Sequence, residues 1–155
     1  MNSGSSGLAR DLTALVGGVL LCLALIAVAM FGALRWTSAG ALLTTTQNAR
    51  GAPEALSGVL AGYDDPFGLV TETLPRVMNV LGFGVSLLVG AFVGAVAHRR
   101  VAWVSVLSVS PLIATRLIGQ PAAVSSWLLA CGWMLASCIT AALVFRRRRP
   151  PLPTP

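Results

Sequence analysis

The sequence predicts an all-α integral membrane protein of four transmembrane helices, with both termini cytoplasmic and one external loop of about 40 residues carrying short helices. Three observations lead there. Hydrophobic residues make up 55% of the 155-residue chain and charged residues 10%, with a mean hydropathy of +0.81. That leaves too little polar surface to clothe a water-soluble domain. The apolar residues gather into four runs, each near the roughly 20 residues needed to cross a hydrocarbon core of about 30 Å at 1.5 Å per helical residue. The third observation is where the arginines stand: seven of the eleven basic residues lie at Arg10, at Arg99 and Arg100, and at Arg146, Arg147, Arg148 and Arg149, all beside ends of apolar runs. The net charge of +6 is thereby explained as positive-inside bias, so no nucleic-acid partner is expected. All eleven basic residues are arginine, a compositional hint of a GC-rich bacterial source and hence of a cell inner membrane.

Met1 to Gly7 is rich in serine and glycine and reads, with the residues up to Asp11, as a short flexible cytoplasmic lead. Leu12 to Leu34 is uncharged and forms the first span. Ala27-Val28-Ala29 resembles a signal-peptide cleavage site. The apolar run continues past it, however, and Arg35-Trp36 closes the run as an interfacial pair, so a retained helix is expected.

Residues 35–77 hold every acidic residue but Asp11 and form the external loop. Pro53-Glu54 opens one short helix that Gly62 ends, and Asp65-Pro66 caps a second that Pro75 terminates. Met78 to Ala97 is the second span, closed by His98, Arg99 and Arg100; Val101 to Gly119 is the third; Gln120-Pro121 connects tightly to the fourth, Ala122 to Phe145. Connections this short make consecutive spans antiparallel neighbours. The four terminal arginines anchor the last span on the cytoplasmic side, and the proline-rich end, residues 150–155, cannot join a helix.

The clearest pattern is on the second span, where Gly82, Ser86, Gly90, Gly94 and His98 recur every four residues. Residues four apart share a helical face, so this is a smooth groove for close helix approach, either within the protein or to a partner. Gly132, Ala136 and Thr140 form a weaker stripe on the fourth span. Cys22, Cys131 and Cys138 all fall within spans, without a Cys-x-x-Cys or a partnering histidine, and read as small hydrophobes. His98 lacks the second ligand a metal or haem would require and reads as an interfacial anchor or lipid-headgroup contact.

Arg116 stands about a turn from the outer end of the third span, where it either snorkels to headgroups or pairs with Asp64, Asp65 or Glu72. Pro111 predicts a kink in the same span, its freed carbonyl satisfied by a nearby hydroxyl or a neighbouring helix. Tyr63, Asp64 and Asp65 are the candidate contact residues of the external loop, though two adjacent acids supply too few oxygens for calcium.

No phosphate-binding glycine loop, Gly-x-Ser-x-Gly elbow or His-Glu-x-x-His occurs in the sequence. The expectation is therefore a small non-catalytic accessory or assembly subunit of a membrane complex, without cofactor, metal or catalytic residues. Its partners would be the lipid bilayer and a membrane protein or further copies of itself. The alternative is a small oligomeric channel or carrier for an apolar or amphipathic solute, built around the kinked third span.

Overall fold

The computed structural model describes residues 3–48, 53–119 and 124–148, and these are helical throughout their ordered elements, with no strand among them. In chain order the elements are α1 (Ser3–Trp36), α2 (Ser38–Asn48), α3 (Pro53–Ala61), α4 (Pro66–Gly68), a π-helical turn (Leu69–Thr73), α5 (Leu74–Val96), α6 (Val101–Ser108), α7 (Ser110–Gly119) and α8 (Val124–Arg148). Four stretches are long and apolar enough to cross a membrane: Ser6–Trp36, Pro66–Val96, Val101–Ile118 and Val124–Arg148. The tight connection at Gln120-Pro121 and the proline-rich end lie outside the described residues.

Two compact units are present, one formed by Met1–Ile26 with Gly82–Pro155 and the other by Ala27–Leu81. The first has a core built from small and β-branched side chains. Ala14 and Cys22 from α1, Val85, Val89 and Val93 from α5, Val104 from α6, Leu112 from α7, and Trp133 and Ala141 from α8 are all buried together. On α1 the small residues Ala14, Gly18 and Cys22 recur every four residues and turn inward, while Leu12, Val16 and Leu20 point out. Gly18 meets the Ser108 side chain and Val93, and Gly17 meets the Phe92 ring. The inward stripe lets α1 approach closely, and the outward one suits hydrocarbon.

The second unit is more structured than a loop with two short helices. The added element is α2, whose run Thr44-Thr45-Thr46 is a poor helical sequence by propensity. Each hydroxyl instead donates back to a carbonyl of the preceding turn, Thr44 to Ala41 at 2.9 Å, Thr45 to Ala41 at 2.6 Å and Thr46 to Leu43 at 2.9 Å. Thr37 caps this helix, its hydroxyl oxygen accepting the Gly40 N–H at 3.0 Å. Gly40 lies so close to the Leu34 backbone that any side chain would collide there, which fixes the sharp turn from α1 into α2.

Two sequence expectations about element boundaries are corrected. Ser3 to Asp11 is not a loose lead, because α1 begins at Ser3; once a helix is nucleated, adding residues to its end costs little. Pro75 does not terminate its helix. A proline ring presses on the carbonyl four residues back, and here that carbonyl belongs to the π-helical turn Leu69–Thr73. The wider i→i+5 spacing of that turn takes up the misfit, and α5 continues to Val96.

Pro111 does more than kink the third span. It sits at the second position of α7, where a missing N–H is tolerated, and Val109 breaks the chain into α6 and α7. Proline cannot donate to the Leu107 carbonyl, and the Ser110 hydroxyl does so instead at 2.7 Å.

Candidate functional site

The face of α5 carrying Gly82, Ser86, Gly90 and Gly94 is occupied by α8. A methyl group on Gly90 would collide with the Ser137 backbone, and one on Gly94 with the Ala141 backbone. The numbers rise together along both helices, so α5 and α8 run parallel. The Trp133 indole covers Gly82 and meets the Phe83 ring edge-on, with centroids 6.4 Å apart and planes at 83°. Ser86 is fully buried and donates to the Gly82 carbonyl at 2.8 Å, so its hydroxyl is spent on its own helix.

The side of α8 facing α5 is Trp133, Ser137 and Ala141, one residue over from the stripe Gly132, Ala136, Thr140. Of that stripe, Gly132 also faces α5, lying against the Phe83 ring. Ser137 has a second role: its hydroxyl and that of Ser105 on α6 are 2.6 Å apart in the fully buried interior. One small residue thus lets α5 approach and links α6. Alongside it the Cys138 thiol points at the Ala102 carbonyl, 3.8 Å away. Cys22 is buried and Cys131 exposed, and all three cysteines are free.

Tyr63, Asp64 and Asp65 belong to the second unit. Tyr63 donates its N–H to the Leu60 carbonyl at 3.2 Å. Asp65 accepts the Gly68 N–H at 2.8 Å and so caps α4, while Asp64 is exposed. Glu72 is held by Arg76 at 3.0 Å across one exposed helical turn. Arg116 lies in the last turn of α7 in the first unit, with its Nε buried and without a hydrogen-bond partner.

Arg99, Arg100, Arg146, Arg147 and Arg148 are all exposed; Arg149 lies outside the described residues. Sequence reasoning missed what organises this end of the first unit, which is Asp11. Its Oδ1 accepts the N–H of His98 at 2.7 Å and that of Arg99 at 3.3 Å, tying α1 to the turn between α5 and α6. The available signal was that Asp11 is the sole acid outside residues 35–77, placed beside a run of basic residues in the expected topology.

At this tie a cleft of about 740 Å³ opens between α1 and α6, lined by Leu8, Leu12, Leu15, Trp103 and Leu107 together with Asp11, His98, Arg99 and Arg100. Beyond His98 a smaller recess of about 250 Å³ is bordered by Arg10, Phe145 and Arg148. The arrangement gathers positive charge at one end of an apolar bundle, and among the described residues no three histidine, cysteine or acidic side chains converge. Compared with known proteins, the chain matches no family model, no curated protein and no solved structure.

Proposed function

We propose that this is a multi-pass protein of the cytoplasmic membrane of a bacterial cell, with both termini inside, that serves as a small non-catalytic accessory or assembly subunit of a larger membrane complex. The arginine distribution supports the orientation. The division of labour on α1 carries the subunit reading. The small residues of that helix are used inside the first unit, whereas Leu12, Val16 and Leu20 are 56%, 52% and 61% exposed and offer a continuous ridge to another helix. With α8 seated on the glycine face of α5, the α1 ridge replaces that face as the surface for a partner.

The test is extraction from the native membrane in mild detergent, followed by native-gel sizing and mass spectrometry. A stoichiometric membrane-protein partner is expected, lost when Leu12, Val16 and Leu20 are all changed to alanine in a chain that still folds. A lone monomer would overturn the reading.

A second reading, an oligomeric channel or carrier for an apolar or amphipathic solute, is favoured by the buried hydroxyls. Ser105, Ser108, Ser126 and Ser137 are fully buried, and those of Ser108 and Ser126 lack a hydrogen-bond partner. A homo-oligomer whose solute flux changes in Ser108→Ala or Thr115→Ala, with assembly intact, would support it instead.

A further inference from the structure

We infer that the cleft between α1 and α6 is a binding site for one anionic phospholipid, with its phosphodiester at Arg99 and Arg100 and an acyl chain along Leu8, Leu15, Trp103 and Leu107. At about 740 Å³ the cleft falls within the roughly 300–1,000 Å³ typical of small-molecule sites. Most of its lining is aliphatic or aromatic, and the polar remainder is Asp11, His98, Arg99 and Arg100. Its polar lining is mainly cationic: Arg99 and Arg100 line the cleft and Arg10 and Arg148 the adjoining recess, against the single carboxylate of Asp11. That carboxylate is turned to main-chain N–H groups, which leaves the guanidinium forks available for a phosphate, the group they match best. The first amides of α6 add positive potential at the same place, since the residue before that helix, Arg100, makes no side-chain cap.

An apolar trough ending in arginines has the amphipathic pattern of a lipid with an acidic headgroup. Trp103, 73% exposed on the cleft wall, lies where the chain would run. The inference uses the bilayer placement of α1 and α6, but neither the subunit role nor the orientation of the termini.

Trp103 supplies the readout. The full chain is reconstituted into phosphatidylcholine vesicles in which an equal mole fraction of either phosphatidylglycerol or phosphatidylcholine carries brominated chains, present in both leaflets. The quenching attributable to Trp103 is the difference between the wild type and Trp103→Phe. The expected result is that the anionic lipid competes for this site at least about fivefold better, the factor equivalent to the ~1 kcal/mol that a single arginine contributes near acidic headgroups. Arg99→Gln/Arg100→Gln abolishes the preference, and Arg99→Lys/Arg100→Lys, which keeps the charge but loses the fork, retains only part of it. Should the neutral variant fail to fold, about 1 M salt applied to the wild type takes its place, since the screening length then falls to about 3 Å. Excess inorganic phosphate leaves the preference unchanged. Equal quenching by the two lipids, a preference that survives both neutralisation and salt, or displacement by inorganic phosphate would each overturn the assignment.

Discussion

Gly90 and Gly84 sit on the same helix and have opposite surroundings. Gly90 touches the Ser137 backbone, whereas Gly84 has open space where a side chain would go. Gly90→Leu is therefore expected to force α5 and α8 apart and to destabilise the protein by about 1–3 kcal/mol or more, the usual cost of overpacking. Gly84→Ala should be neutral or stabilising by up to about 1 kcal/mol, the helix-propensity difference between the two residues. Unfolding in mixed detergent micelles measures both, and equal stability of the two variants would show that the seam between α5 and α8 is not closely packed. The recurrence of small residues on α5 was legible in the sequence because a period of four needs no partner to be seen. Which helix fills the groove was not legible. Three other spans could have faced it, and the residues that do, Ser137 and Ala141, stand one position away from the more conspicuous stripe at Gly132, Ala136 and Thr140.

At the scale of elements, the long apolar stretches were readable because a bilayer-spanning helix needs little beyond length and hydropathy. The irregularities within them depended on particular hydrogen bonds. Pro75 and Pro111 carry the same local signal and have different outcomes. A π-helical turn lets the helix pass over Pro75, whereas at Pro111 the chain breaks into α6 and α7 and Ser110 takes over the Leu107 carbonyl. That substitution of donors gives a double-mutant cycle. Ser110→Ala alone removes one of the donors to that carbonyl, which a main-chain N–H at the end of α6 also reaches, and should cost about 0.5–1.5 kcal/mol, the net worth of one hydrogen bond. In a Pro111→Ala background, where residue 111 regains an N–H able to reach Leu107, the same change should cost less than about 0.5 kcal/mol. Additive costs would mean that Ser110 acts on something other than the carbonyl freed by proline. Likewise α2 was missed because a run of three threonines argues against a helix unless each hydroxyl is known to bond its own preceding turn.

For the whole molecule, the proposed orientation rests on a bias of seven arginines against three, Arg35, Arg50 and Arg76. Changing Arg146, Arg147, Arg148 and Arg149 to asparagine leaves three on each side. The fluorescence of a carboxy-terminal reporter that matures only in the cytoplasm should then fall to about half per molecule inserted, as the chain takes both orientations. Undiminished fluorescence would place the orienting signal elsewhere. The tie from Asp11 to His98 has a consequence in time as well as in space, because its ends are separated by 87 positions. Translation adds roughly 5–20 residues each second, so the amide that completes this corner is made about 4 to 17 s after the carboxylate that receives it. For that interval the first helix is a nascent segment whose inward face has no neighbour from its own chain. The small residues Ala14, Gly18 and Cys22 must then be shielded by lipid or by the insertion machinery until α5 and α6 arrive.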